Sequence, residues 1–184
     1  MTRKPKRLPV FLQADEPEAL LRATRRERDR LLLMTLTYLG LRVAEACHLQ
    51  VEDVDFRRRL LTVRQGKGAK DRCLPLPRRL AGPLRGWIGP RQTGPVYPSS
   101  HGGELTSRAV QLLVKRTAAR AGLRDALKPR RYHPHSLRHV FASRMLDRGA
   151  TIEEVREALG HSSIAVTSVY LHSNPQHLRE VMEV

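Results

Sequence analysis

The sequence contains few cysteines and few aromatic residues, and it has no long apolar run. Its two cysteines, Cys47 and Cys73, form no CxxC pair and no metal-ligand spacing, so we expect reduced thiols in the cytoplasm. The longest apolar stretch, residues 31–41, is too short to cross a bilayer, and no apolar segment follows the basic N-terminus as it does in a signal peptide. Walker-type and GxGxxG loops are also missing. These absences argue against disulfide-rich secreted proteins, membrane proteins and the common nucleotide-binding folds.

Acidic residues are scarce compared with basic ones. The 184 residues include 34 Lys plus Arg against 18 Asp plus Glu, which gives a formal net charge of +16. Of the 34 basic residues 28 are arginine, the side chain that binds phosphate through two parallel hydrogen bonds. This composition favours a nucleic-acid partner, although a biased coding genome can also enrich arginine.

Apolar periodicity predicts an α+β fold, mainly α-helical with a small antiparallel β-sheet. Residues 1–9 are predicted to be a basic flexible arm, and residues 10–184 a single domain. Asp15 and Glu18 have the spacing of a capping box. Helices are predicted after this box up to about residue 23, and over 27–39, 42–49, 106–121, 136–147, 152–159, 164–171 and 176–182, with a weaker pattern over 78–88. Two strands, 60–63 and 72–76, flank glycines suited to a hairpin.

Two clusters in the first half of the chain carry candidate chemistry. Arg42 follows a glycine at the start of a short helix, and Glu45 lies one turn later, where it can orient the guanidinium. A surface ion pair is the alternative interpretation. Lys67 lies between two glycines at the predicted hairpin tip, where it can reach a phosphate or protonate a leaving alkoxide. An exposed lysine that only aids solubility is the alternative.

A histidine- and arginine-rich cluster begins the helix over 136–147. The spacing places His135, Arg138 and His139 on one helical face, which suits an anion that needs both charge and directed donors. A satisfied core histidine and a metal site are the alternatives. A metal is disfavoured because Arg138 would lie beside the cation and no Asp, Glu or Cys joins the cluster.

His161 follows a helix-ending glycine, and Tyr170 lies nine residues later among apolar residues. Buried packing is the alternative role for this tyrosine. A phenol has an ordinary pKa of about 10, so it becomes a nucleophile only in cationic surroundings, which the other clusters can supply. Arginines, a lysine, histidines and a tyrosine without a carboxylate cluster favour metal-free phosphoryl transfer through a phosphotyrosine.

Four local strings, in this order and spacing, resemble the motifs of the tyrosine recombinases, the phage-integrase and Xer family. They are LGLRVAE at 39–45, GKGAKDR at 66–72, HSLRH at 135–139 and LGHSS at 159–163, the last followed by Tyr170 and His172. The resemblance runs from about residue 8 to residue 172 and implies the fold of that family's C-terminal catalytic domain. Ala44 departs from the family pattern, in which a small hydroxyl residue is common; we expect little effect.

The resemblance implies a role for each matched side chain. Phosphate contacts are implied for Arg42 and Arg138, general-acid catalysis for Lys67, activation or phosphate donation for His135 and His161, nucleophilic attack for Tyr170, and support for Glu45 and His139. It further implies cleavage and rejoining of double-stranded DNA through a 3′-phosphotyrosyl intermediate, with no cofactor and no metal.

The family's usual organisation sets further expectations. Family members act as tetramers on DNA, so residues 174–184 are expected to dock as a helix on a neighbouring protomer or to pack on their own chain. The N-terminal core-binding domain of such recombinases is expected to be absent from this chain. Two alternative functions remain: a type IB-like topoisomerase activity, and a DNA-binding or regulatory module that does not cleave.

Overall fold

The computed structural model describes residue 12 and residues 15–64, 71–123 and 132–160. Seven helices and three strands lie in these ranges. In chain order they are α1 (Glu16–Arg22), α2 (Glu27–Leu39), α3 (Val43–His48), β1 (Val54–Asp55), β2 (Leu60–Val63), β3 (Arg72–Pro75), α4 (Arg78–Ile88), α5 (Ser107–Arg120), α6 (Pro134–Asp147) and α7 (Ile152–Leu159). A single 3₁₀ turn, Val51–Asp53, precedes β1. None of the helices in the described ranges has the length and apolarity needed to span a membrane.

Helix α2 is the centre of the fold. Leucines occur nearly all round it, and its residues from Leu31 to Thr37 are buried, as the sequence predicts. It packs against α1, α3, α4 and α6. Gly40 ends the helix in the left-handed conformation, with φ of 61°, as expected for a glycine just past a helix C-terminus. Gly40 therefore fixes the direction in which the chain leaves α2 and enters α3.

The sheet is antiparallel, with strand order β1-β2-β3. The two predicted hairpin strands pair as expected, with Leu60 opposite Pro75 and Val63 opposite Arg72. Strand β1 was not predicted, because two residues are too few to show an alternating pattern; it pairs through Val54 and Leu61. The predicted hairpin tip lies outside the described residues.

The start of α1 corrects one prediction. Asp15 occupies the cap position but makes no capping hydrogen bond with its side chain, so the predicted capping box is wrong. Its backbone is helical, with φ of −92° and ψ of −17°, whereas a capping side chain needs an extended backbone. Glu18 instead accepts two hydrogen bonds from Arg144 Nη2, both of 2.8 Å, and so connects α1 to α6.

The remaining described helices follow the predicted boundaries closely. α5 begins after Thr106, whose hydroxyl oxygen accepts a hydrogen bond from the Ala109 amide. α7 has the predicted bounds and ends at Gly160, again left-handed with φ of 63°. No helix or strand is predicted for the segment between α4 and α5, yet it contributes the fully buried residues Val96 and Tyr97 to the core. The predicted helices over 164–171 and 176–182, and the arm over 1–9, lie outside the described residues.

Candidate active site

Arg42 and Glu45 form a pair at the start of α3. The Arg42 backbone N–H donates to Glu45 Oε2 at 2.7 Å, and Arg42 Nη1 donates to Glu45 Oε1 at 2.7 Å. One carboxylate therefore satisfies an unpaired amide at the helix start and also orients the guanidinium. The Arg42 side chain is 39% exposed, which leaves part of its donor surface open to a ligand.

Glu45 receives hydrogen bonds from a second arginine, Arg72, at the beginning of β3. Arg72 Nη1 donates to Oε1 at 3.0 Å and Nη2 donates to Oε2 at 2.8 Å, a bidentate pair whose side chains are each only 9% exposed. Nη1 of a third arginine, Arg138, lies 4.0 Å from Oε2. Burial alone raises the pKa of Glu45, but the hydrogen bonds and charge of Arg72 and the hydrogen bonds of Arg42 outweigh it and lower the pKa to about 2. The carboxylate is therefore ionised at neutral pH.

The C-terminal end of α7 faces the same three arginines. The last carbonyl oxygens of a helix lack intrahelical partners and carry the negative end of the helix dipole. Three consecutive carbonyl oxygens here each accept from a different arginine: that of Ala158 from Arg72 Nε at 3.0 Å, that of Leu159 from Arg138 Nη2, and that of Gly160 from Arg42 Nη2 at 2.7 Å. The end of α7 is thus held against the start of α3 and the base of the hairpin.

Arg138 is the buried member of the three. Arg138 as a whole residue is 4% exposed, and its Nη1 donates to the carbonyl oxygen of Gly40 at 2.6 Å. Together with its bond to Leu159, this contact connects the ends of α2 and α7. Its charge lies within the cluster, but its guanidinium is enclosed by protein, unlike that of Arg42.

Histidines surround the first turn of α6. His133 is the residue before the helix, and its ring centroid lies 5.9 Å from that of His135, which is exposed. One turn later, burial and the nearby positive charges of His133, His135 and Arg138 lower the pKa of His139 to about 4. Burial and His135 also lower the pKa of His133. His139 is therefore neutral at pH 7.

The three arginines and Glu45 form a positively charged cluster built from residues far apart in the sequence. Three guanidiniums surround a single carboxylate, so the cluster keeps a net positive charge. Among the described residues, the structure forms no group of three or more His, Cys, Asp or Glu side chains that could hold a metal ion. Directed N–H donors with positive charge suit a phosphate-like anion.

Comparison with known proteins identifies the family. The family model described as the phage integrase family matches residues 10–177. The chain belongs to the phage integrase family.

Curated proteins that are similar to this family member include two sets of tyrosine recombinases. The chain is 38% identical over 186 residues to tyrosine recombinase XerA of Thermococcus kodakarensis, covering 97% of this chain and 64% of that protein. It is 40% identical over 187 residues to tyrosine recombinase XerC of Xanthomonas campestris pv. campestris strain B100, covering 97% of this chain and 56% of that protein. The chain thus spans about six-tenths of the length of these relatives.

Solved structures support the same assignment. A crystal structure of XerA recombinase superposes with a TM-score of 0.81 at 28% identity, covering 97% of this chain and 64% of that chain. XerH site-specific recombinase, bound to palindromic difH substrate in a post-cleavage complex, gives 0.79 at 27% identity, covering 97% and 54%. The expected fold, mainly helical with a small antiparallel sheet like a tyrosine-recombinase catalytic domain, is confirmed.

The structure brings together three of the eight site residues predicted from the sequence, and it places two more on the same helix as one of them. Arg42, Glu45 and Arg138 lie in the cluster, and His135 and His139 lie on the same helix as Arg138. Lys67, His161 and Tyr170 lie outside the described residues.

Two residues at the candidate site were not predicted from the sequence: Arg72 in the arginine cluster, and His133 beside His135. One signal could have indicated Arg72: it shares a strand face with Leu74, which is buried. A charged residue at an inward position of a strand needs a partner of opposite charge. His133 lies just before α6, so it falls outside the helical spacing that places His135, Arg138 and His139 on one face.

Proposed function

We propose that this chain is the catalytic part of a site-specific DNA recombinase that cleaves and rejoins DNA through Tyr170. The observation that carries the proposal is the arginine cluster around Glu45, which combines net positive charge, buried support and one partly exposed guanidinium. A scissile phosphate is a singly charged anion whose charge increases on its non-bridging oxygens in the transition state. Pre-positioned arginines stabilise that increase without reorganising.

Within this proposal Arg42 contacts the phosphate directly. Its side chain is held from both sides, by Glu45 Oε1 and the Gly160 carbonyl, and is still 39% exposed. The enclosed Arg138 contributes charge and holds the carbonyl ends of two helices in place. His135, exposed at the first turn of α6, is assigned as a hydrogen-bond donor to the phosphate. Glu45 and His139 are assigned as supporting residues, which hold these groups in place without contacting the phosphate.

The proposed reaction is a transesterification. The Tyr170 oxygen attacks phosphorus and loses its proton to a base, for which His161 is the candidate, while the bond from phosphorus to the 5′ oxygen breaks. Lys67 gives a proton to the departing 5′ oxygen, and the 3′ phosphate remains on the tyrosine. The phosphodiester bond energy is kept in the phosphotyrosine, so a 5′-hydroxyl can reverse the step with no cofactor and no metal.

The proposal includes the partners and the location. Double-stranded DNA is the substrate, and a tetramer on DNA, assembled through residues 174–184, is the proposed form for strand exchange. The cytoplasm is the proposed compartment, where chromosomal and invading DNA are accessible. Two XerH structures are described as complexes with difH substrate, before and after cleavage, which supports a duplex DNA partner for this chain.

Covalent capture from DNA of randomised sequence tests the proposal. The chain is incubated with a pool of duplexes that have randomised sequences and nicks at staggered positions, so that the short 5′-hydroxyl fragment diffuses away after cleavage. Protein-linked DNA that survives denaturation is then isolated and sequenced. We expect a consensus to be enriched, with the adduct lost in Tyr170→Phe while DNA binding persists.

The matched control is Tyr38→Phe, which removes the phenol oxygen of a tyrosine on α2 and should leave the adduct unchanged. Two outcomes would overturn the proposal. One is that the wild-type chain yields no denaturation-resistant adduct from the pool. The other is that Tyr170→Phe yields as much adduct as the wild type.

A further inference from the structure

The Arg72 side chain contacts more parts of the cluster than an ordinary buried ion pair would. It starts β3, it holds both oxygens of Glu45 on α3, and its Nε bonds the Ala158 carbonyl at the end of α7. Its side chain is 9% exposed, and three different donor atoms are already used. Because these donor atoms point at Glu45 and Ala158, Arg72 is poorly placed to contact a DNA phosphate itself.

We propose that Arg72 is a positioning residue for Arg42, acting through Glu45; the inference rests on the proposed function. Each Glu45 oxygen is shared by the two arginines. Oε1 accepts from Nη1 of both side chains, at 2.7 and 3.0 Å, and Oε2 accepts from the Arg42 backbone amide and from Arg72 Nη2. Because Arg72 holds both oxygens, the carboxylate is fixed in an orientation in which Oε1 accepts from the Arg42 guanidinium and Oε2 from the Arg42 backbone amide.

Removing Arg72 changes both geometry and charge. The carboxylate loses two donors, so it can rotate and form a bidentate pair with Arg42, which withdraws N–H groups from a ligand. The cluster also loses one positive charge, so Glu45 neutralises a larger share of Arg42. In addition, the end of α7 loses its contact at Ala158, two residues before the carbonyl that fixes Arg42 Nη2.

The expected consequence is a defect in the chemical step rather than in DNA binding. A displacement of about 1 Å at a positioned catalytic group costs on the order of 100-fold in rate. We therefore expect Arg72→Ala to slow single-turnover adduct formation roughly 10- to 100-fold on a saturating duplex selected by covalent capture, with less than about 3-fold change in DNA affinity. Arg72→Lys should recover part of the rate, because it keeps the charge but cannot bridge both oxygens.

A double-mutant cycle separates positioning from general structural damage. In the background of Arg42→Lys, whose shortened reach already disturbs the phosphate contact, adding Arg72→Ala should slow the reaction less than about 3-fold further, because both changes act on the same contact. A merely structural loss would multiply the two rate defects. Arg156→Ala is the control: it removes a positive charge from α7, where the side chain pairs with Glu153, and should leave the rate unchanged.

Each outcome decides the inference. Three results would overturn the inference: rate defects that multiply fully in the cycle, a loss of DNA affinity equal to the loss of rate, or a wild-type rate in Arg72→Ala. In each of these cases an adduct formed by the wild-type chain still upholds the proposed function. Thermal unfolding is measured for every variant, and if Arg72→Ala, Arg72→Met and Arg72→Lys all unfold, Arg72 is a structural residue and the inference is wrong. Absence of any wild-type adduct removes the proposed function and this inference with it.

Discussion

Arg138 Nη1 donates a hydrogen bond of 2.6 Å to the carbonyl oxygen of Gly40, 98 positions earlier in the chain. Gly40 ends α2, whereas Arg138 lies on α6, so the bond joins the two helices at the edge of the candidate site. The direction of this carbonyl follows from the left-handed backbone at Gly40. The conformation of this glycine therefore determines whether the buried guanidinium keeps its acceptor at the end of α2.

Gly40→Ala should destabilise the domain. The backbone has φ of 61°, and an added Cβ would lie 2.3 Å from the Phe141 ring on α6. Left-handed backbone costs a non-glycine residue about 1–2 kcal/mol, and overpacking in a core costs about 1–3 kcal/mol more. We expect the free energy of unfolding, measured in urea at pH 7, to fall by roughly 2–5 kcal/mol.

Gly149→Ala is the matched control for this clash. Gly149 also has positive φ, 85°, but no heavy atom lies within 4 Å of an added Cβ. Only the backbone cost of about 1–2 kcal/mol should therefore appear. Equal losses in the two variants would contradict the steric role assigned to Phe141.

Glu45→Gln should remove an acid-sensitive contribution to stability. The pKa of Glu45 is lowered from 4.5 to about 2, so the unfolded chain binds the proton more readily than the folded one between these values. This group stabilises the fold above pH 4.5, and the contribution is lost as pH falls toward 2. A shift of this size corresponds to roughly 3 kcal/mol.

Urea unfolding from pH 7 to pH 3 measures this contribution. The difference in free energy of unfolding between wild type and Glu45→Gln should be largest at pH 7 and should shrink below pH 4.5. Glu153→Gln is the control, because its carboxylate lies on the exposed face of α7 and pairs only with Arg156 among the described residues. A difference that stays constant across this pH range would show that Glu45 does not titrate as the structure predicts.

His139 should titrate well below an ordinary histidine. Burial, and then the charges of His133, His135 and Arg138, lower its pKa from 6.5 to about 4. The unfolded chain therefore takes up this proton first, and the fold loses stability as pH falls from 6.5 toward 4. Imidazole proton shifts followed by NMR should give a midpoint near 4, and His135→Ala should move it upward. A midpoint near 6.5 would contradict the observed burial.

Helix termination was the part of the fold that the sequence predicted best. α2 and α7 both show an apolar pattern followed directly by glycine, and both end where that glycine turns left-handed, at Gly40 and Gly160. The cap at Asp15 could not be predicted in the same way. Its side chain has the right chemistry, but its backbone is helical, and no local pattern in the sequence shows this.

The candidate site was predictable where its contacts are local. The pair formed by Arg42 and Glu45 follows from a spacing of three residues at a helix start. The contacts of Arg72 do not, because they depend on how the hairpin and α7 meet α3 in space, across 27 and 86 positions. Sequence patterns indicate which residues share a face, but they do not show which distant backbone carbonyls will lie against that face.

Tyr97 should prove important to the core although no helix or strand is predicted for the segment that contains it. It is fully buried, and its hydroxyl is hydrogen-bonded to the Thr35 hydroxyl and donates to the Leu31 carbonyl oxygen at 3.3 Å. Burial raises the pKa of Tyr97, so the phenol stays protonated. Tyr97→Phe leaves the buried Thr35 hydroxyl without this partner and should lower the free energy of unfolding by about 1–3 kcal/mol.

The matched variants are Thr35→Val and the double substitution. If the two hydroxyls stabilise α2 chiefly through each other, the double variant should lose less than the sum of the single losses, by at least about 0.5 kcal/mol. Urea unfolding of all four proteins measures this coupling. Strict additivity would mean that each hydroxyl acts through another neighbour, such as the Leu31 carbonyl in the case of Tyr97. Coupling would instead show that the segment after α4 is held to the central helix by this polar contact as well as by apolar burial.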